Sequence, residues 1–242
     1  MAGLLILAIE TATGCGSVAL TRGAGPAGKV LAEYTLQPEI THSRRLLGSV
    51  AAVMAAAGAG WSDLMAVAVS QGPGSFTGLR IGMAAAQGLA MALAVPLLPV
   101  PTLDGLAFQA VPGDLPVCCL LDARKQQVYA GFYRFSQARW QRIGPFLAVS
   151  PEELARRLIQ EPTLVVGPGL QACRDEMAGQ PLARCVDAGL FHPRAAAIGL
   201  CAGQMLADGT GHTAEQVVPL YVRASEAELN LRTTREAGRE TV

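Results

Sequence analysis

Gly72-Pro73-Gly74-Ser75-Phe76-Thr77-Gly78-Leu79-Arg80-Ile81-Gly82 joins the pattern of a buried strand to the pattern of a helix. Upstream, the apolar run 65–70 has the length of a strand; downstream, residues 79–95 have the length of a helix and are closed by Pro96. Gly72 and Gly74 give the turn its backbone freedom, and Pro73 fixes φ between them. Ser75 or Thr77 is placed to cap the first free amides of the helix, whose positive end suits a phosphate. Two readings of the elbow stay open: a phosphate or nucleotide contact at Gly72, Gly74, Ser75 and Thr77, or glycines that let strand and helix pack closely.

Working outward, residues 4–9, 17–21 and 30–36 read as three strands joined by turns rich in Gly, Pro and Thr, which predicts an antiparallel meander. A helix follows, with Thr41 as its N-cap, Leu46, Val50, Val53 and Ala57 at helical spacing, and Gly58 as its end. The elbow, its helix and a strand at 97–100 complete a first unit, with a boundary expected at Pro101-Thr102-Leu103. Beyond it, 117–121 and 128–135 read as a strand pair, 151–159 as a helix, 163–166 as a strand and 193–207 as a helix. The charged, apolar-poor stretch 224–242 reads as a mobile tail that orders on a partner.

The elbow resembles the G-P-G-S-F-T-G-[LV]-R-I-G signature of the bacterial TsaB (YeaZ) proteins. Residues 5–13 (LILAIETAT) are similar to that family's opening strand and turn, with Glu10 where many members carry Asp. Thr41-His42-Ser43 with Leu46-Leu47 resembles its first-helix start, Leu121-Asp122-Ala123-Arg124 with Val128-Tyr129 its second-domain strand pair, and Pro219-Leu220-Tyr221-Val222-Arg223 its P-x-Y-x-R ending. Together the matches run from residue 4 to residue 223. The resemblance implies an α/β chain of the actin-like or hexokinase-like ATPase (ASKHA) fold with two α/β subdomains. The first would comprise 1–103 plus 192–223, after a helix that crosses back, and the second 104–191.

At 242 residues with 51% hydrophobic and 16% charged residues, the chain is long and apolar enough for a sizeable core. Nineteen basic against nineteen acidic residues leave no basic surplus to hold RNA, so any nucleic-acid role is expected to be indirect. Six scattered cysteines without C-x-x-C spacing read as small buried apolar residues in a reducing compartment. Residues 4–9 are too short for a leader and Glu10 follows at once; residues 79–95 fall short of a typical membrane span. The expectation is a soluble cytoplasmic protein with no membrane partner.

Actin-like ATPases hold phosphate partly with the turn after the first strand, which adds Thr11 and Thr13 to the candidate phosphate contacts, against the reading of a capped hairpin turn. Catalytic members also need carboxylates to hold magnesium or orient water, and Glu10 is the only acid in this turn. The related TsaD proteins carry H-x-x-x-H on the first helix, whereas here His42 is followed four residues later by Leu46, so the second ligand is missing. There is no H-E-x-x-H and no G-x-S-x-G. Neither catalytic nor metal-ligating residues are expected.

The helix 79–95 is apolar on nearly every face, its only polar side chains being Arg80 and Gln87, and predicts burial on both sides, beneath the second domain or against another chain. The resemblance implies pairing through the two helices, with TsaD or with a second copy. His42, Leu46, Val50, Arg80, Met83, Ala84, Gln87 and Met91 are then the expected interface residues. It further implies a non-catalytic subunit that activates TsaD in forming threonylcarbamoyladenosine in tRNA. The ATPase TsaE would join the complex, tRNA would be met only indirectly, and ATP and a metal ion would sit in the partner subunits with no cofactor in this one. The rival class is an enzyme of the same fold, a metal-dependent hydrolase (glycoprotease-like) or a small-molecule kinase.

Overall fold

The computed structural model describes residues 3–36, 45–110, 112–158, 160–186 and 191–223. Leu5–Glu10 (β1), Gly16–Arg22 (β2) and Lys29–Leu36 (β3) form the antiparallel meander, and Leu46–Ala56 (α1) follows. Ala66–Gly72 (β4), Phe76–Leu93 (α2) and Leu97–Pro101 (β5) then add two parallel strands, giving the order β3-β2-β1-β4-β5. The second half runs Thr102–Phe108 (α3), Val117–Arg124 (β6), Gln127–Ser136 (β7), Arg139–Val149 (β8), Pro151–Arg157 (α4), Thr163–Val166 (β9), Arg174–Ala178 (α5) and Ala183–Cys185 (β10). Its sheet is ordered β10-β9-β6-β7-β8. Ala195–Ala207 (α6) closes the helical order and lies on the first sheet.

Both faces of the first sheet are covered, so β1 is buried at all six positions. Leu5, Leu7 and Ile9 pack with α1 and α2, whereas Ile6 and Ala8 pack with Ala195, Ile198 and Ala202 of α6. The start of α6 is satisfied from the sheet: the Ala195 amide donates to Ser17 Oγ at 2.8 Å and the Ala196 amide to Glu33 Oε1 at 3.0 Å.

Four expectations change. The first helix begins at Leu46 with Arg45 at its N-cap and no side-chain cap bond, while Thr41, like His42 and the stretch 224–242, lies outside the described residues. The second helix starts at Phe76, because Ser75 Oγ accepts from the Gly78 amide at 3.3 Å and opens it before Leu79. The expected boundary at Pro101-Thr102-Leu103 is the start of α3, which packs against α6 and also against β6. β8 has no counterpart in the sequence reading: it is an exposed edge strand interrupted by Gly144 at φ 74, so it shows no apolar alternation, and pairing with β7 holds it.

The elbow works by close approach. A Cβ at Gly78 would collide with the Thr11 carbonyl oxygen, and one at Gly74 would lie 2.7 Å from Ala12 Cβ. The Ser75 amide donates to the Ala12 carbonyl at 2.7 Å, and Thr11 Oγ1 donates to the Gly78 carbonyl at 2.8 Å. Gly88, on the outer face of the same helix, has no atom within 4 Å of its Cβ position. Thermal or denaturant unfolding of two like substitutions in one helix checks this. Gly78→Ala should cost at least about 2 kcal/mol by overpacking backbone, and Gly74→Val should behave alike. Gly88→Ala should gain up to about 1 kcal/mol of helix propensity.

Candidate functional site

A cavity of about 730 Å³ opens between the two halves. One wall is the β1–β2 turn at Ala12, Thr13 and Gly14 with Gly74, Ser75, Phe76 and Thr77 at the head of α2. The other is the end of β6 and the β6–β7 turn, Leu121 to Lys125, with Tyr129. Pro168, Gln171, Tyr221 and Arg223 complete the lining.

Of the six residues expected at a phosphate, Thr13, Gly74, Ser75 and Thr77 border this cavity. Thr11 does not: it is 1% exposed and its hydroxyl is committed to the Gly78 carbonyl. Gly72 does not either; it belongs to β4 at φ 118, where a Cβ would meet the Leu220 carbonyl at 2.5 Å. Its glycine serves the passage of the C-terminal segment, whose Leu220 amide donates to the Gln71 carbonyl at 2.8 Å.

Glu10 faces away from the cavity. It continues the Ile6–Ala8 face of β1, and with Ser17, Ser70 and Thr102 it forms a row of buried polar residues on the α6 side of the sheet. Glu10 Oε1 accepts from the Ala12 amide at 2.6 Å and from Ser70 Oγ at 3.2 Å, while Oε2 has no partner. Burial without a cation pushes its carboxyl up from the ordinary value near 4.5 to about 8; the two hydrogen bonds pull the other way and lose. Among the described residues no group of three His, Cys, Asp or Glu is placed to hold a metal ion. The six cysteines are unpaired; Cys15, Cys118, Cys119 and Cys173 are buried, Cys201 is half-buried and Cys185 is exposed.

The apolar helix resolves into faces. Leu79, Gly82, Met83, Ala86 and Ala90 are buried, and Met83, Ala86 and Ala90 pack with Leu46 and Val50 of α1 in one core cluster. Leu46, Val50 and Met83, expected at a partner surface, are therefore core. Gln87 and Arg80 hold the chain's own C-terminal segment. Gln87 Nε2 donates to the Ala214 and Val217 carbonyls, both at 3.0 Å, and Arg80 stacks 3.9 Å over Phe76 and reaches Tyr221 Oη at 3.4 Å. The expected cover on both sides is thus in part residues 214–221. Beyond Arg80, the exposed positions of α2 are Ala84, Gly88, Met91 at 62% and Ala92, and those of α1 are Leu47 at 63%, Gly48, Ala51, Ala52, Ala55 and Ala56. α2 has the length and apolar composition of a membrane span. Its inner face is nonetheless packed in the core.

Sequence reasoning missed the second wall. Arg124, Tyr129, Tyr221 and Arg223 stood inside recognised motifs but were read as strand pair and chain ending; their signal was the motif itself.

Two five-stranded α/β halves, with a cavity between the first hairpin turn and the turn of the second sheet, define a two-subdomain actin-like (ASKHA) protein. A family model described as "TsaD: tRNA N6-adenosine threonylcarbamoyltransferase" matches residues 29–231. The tRNA threonylcarbamoyladenosine biosynthesis protein TsaB of Escherichia coli K12 is 35% identical over 229 residues, 92% of this chain and 96% of that one. TsaB of Haemophilus influenzae is 33% identical over 185 residues, 71% and 75% of the two chains. YeaZ from Pseudomonas aeruginosa superposes with a TM-score of 0.75 at 33% identity, covering 90% of this chain and all of that one. The chain belongs to the TsaB (YeaZ) family, and its role lies in the biosynthesis of threonylcarbamoyladenosine in tRNA.

Glu10 yields a pH prediction. Its folded pKa lies above its unfolded one, so the folded chain holds the proton to higher pH and stability drains away between about pH 4.5 and about 8, then levels. Glu10→Gln is neutral throughout. Melting curves from pH 5 to 8.5 should show the variant gaining on the wild type by several kcal/mol as pH rises; parallel curves would contradict the buried, unpaired carboxyl.

Proposed function

We propose that this chain is the non-catalytic subunit that binds and activates TsaD while the threonylcarbamoyl group is placed on N6 of adenosine 37 in tRNAs reading codons that begin with A. In this reading TsaD and TsaE hold the metal ion and the ATP of the reaction, tRNA is met through the complex, and the assembly works in the cytoplasm. The observation that carries the reading is the small, apolar character of the outward faces of two helices: Ala84, Gly88 and Met91 on α2, and Leu47, Ala51 and Ala55 on α1. Small residues let a second helix approach closely, and exposed Leu and Met supply apolar area to bury. The same surface suits a second copy of this chain when TsaD is absent.

The non-catalytic part rests on where the carboxylates are. Glu10 is fully buried and turned to the α6 side. Asp122, the one acid that borders the cavity among the described residues, accepts from the Arg124 amide at 2.7 Å and lies 3.6 Å from its guanidinium. Neither stands ready to hold magnesium over a reacting phosphate or to take a proton from water.

Glutamate substitutions separate interface from core. Ala84→Glu and Gly88→Glu should leave the melting temperature within a few degrees of wild type yet weaken capture of the organism's own TsaD by two orders of magnitude or so, since a charge must be desolvated there. Ala86→Glu, at a position with no exposure, should unfold the chain outright. Undiminished TsaD binding by both outward variants would place the interface elsewhere.

A further inference from the structure

α2 carries a single charged side chain, Arg80, and no acid in its first turn. Helical side chains lean toward the N-terminus, and this one leans over Phe76: the guanidinium lies 3.9 Å above the ring and Nε reaches Tyr221 Oη at 3.4 Å. Phe76 and Tyr221 in turn pack with ring centroids 5.5 Å apart, and both stay at the surface, 41% and 39% exposed. The arginine is thus held flat beside two aromatic rings at the positive end of a helix, where the dipole disfavours a cation. Its two terminal nitrogens make no hydrogen bond or ion pair among the described residues. Arg134, Arg142 and Arg194, by contrast, each pair with a carboxylate of this chain. Arg80 is also not among the residues that border the cavity. At 100° per residue it falls in the outward sector of Ala84, Gly88 and Met91, and forms the charged end of that stripe about 16 Å from Met91.

We propose that Arg80 is the charged anchor of the α2 docking surface and takes an aspartate or glutamate side chain from the partner seated there. The inference rests on the reading that TsaD docks on this face. It adds what TsaD must present: a carboxylate at the Phe76 end of a contact otherwise made of small and apolar groups. A partner covering Ala84 and Gly88 also covers the open side of the guanidinium, and without an anion it would strand a desolvated charge. The planar fork matches a carboxylate with two parallel hydrogen bonds. Stacking against Phe76 and Tyr221 has already removed much of the freedom that an arginine loses on binding, and arginine with aromatic neighbours is the residue set of interface hot spots.

The affinity of the full-length chain for the organism's own TsaD, measured from about 0.05 to about 0.5 M NaCl, tests the anchor. Wild-type affinity should fall as salt rises, a result that needs no variant to fold. Arg80→Gln should weaken binding about thirtyfold at the low-salt end and flatten the salt dependence, with a melting temperature within a few degrees of wild type. Arg80→Lys keeps the charge without the fork, and should show intermediate affinity with the salt dependence retained. Tyr221→Phe loses the Nε contact but not the cation, and should retain it too. Ala84→Glu checks the underlying reading. If it abolishes capture while Arg80→Gln binds like wild type, TsaD docks on α2 and the anchor is refuted; if both bind like wild type, the docking reading has failed and the anchor with it. The proposal is also overturned by a wild-type affinity indifferent to salt. An Arg80→Gln defect that leaves the salt dependence intact overturns it as well, being the mark of an arginine that only holds Tyr221 and the C-terminal segment in place.

Discussion

Everything near the cleft depends on one contact, the seating of α2 directly on the backbone of Thr11 and Ala12. Gly74 and Gly78 put bare Cα against the Ala12 and Thr11 carbonyls, and Gly82 leaves room for the Thr11 side chain. Two hydrogen bonds lock it, Ser75 amide to Ala12 carbonyl and Thr11 hydroxyl to Gly78 carbonyl. With the axis and rotation of α2 fixed, at 100° per residue, the rest follows. Met83, Ala86 and Ala90 turn into the core, Gln87 and Arg80 lie along a flank that receives residues 214–221, and Ala84, Gly88 and Met91 are left outward.

Glycine, proline and a capping serine punctuate so strongly that the elbow was legible from its residues alone, and the strands of the first sheet were legible from their lengths and turns. The faces of α2 were not, since a helix of Ala, Gly and Met carries almost no contrast between inside and outside for periodicity to detect. Leu46, Val50 and Met83 were therefore assigned to a surface that belongs to Ala84 and Met91. Thr11 has the chemistry of a phosphate donor, and only a partner 67 residues further on shows that its hydroxyl is already used. β8 was hidden for the opposite reason: an edge strand held by pairing need not be apolar, and Arg139, Gln141 and Arg142 disguised it.

The same helix joins the cavity to the surface proposed for TsaD. Its first turn borders the cavity at Phe76 and Thr77, and its middle offers Ala84, Gly88 and Met91 outward. From Phe76 to Met91 a rigid α-helix spans about 22 Å at 1.5 Å per residue. Because Gly74 and Gly78 lack the clearance for α2 to slide over the β1–β2 turn, displacement at one end would have to move that turn as well. Any coupling between a ligand in the cavity and a partner on the helix would thus run through the Thr11–Ala12 backbone, and would act equally in both directions.

The distribution of charge bears on the proposal that this chain is not the catalytic subunit. At the carboxyl end of the first sheet, the glutamate of β1 is drawn into a buried polar row with Ser17, Ser70 and Thr102, where its raised pKa keeps it largely neutral. Across the turn, the cavity faces cations from β6–β7 and the C-terminal segment. Phosphoryl transfer needs carboxylates that grip metal and orient a nucleophile, with cations stabilising the charge that develops. With its glutamate buried and held largely neutral, the end of β1 offers the cleft no carboxylate for that task. Withdrawal of Glu10 is therefore compatible with a chain that leaves the chemistry to another subunit.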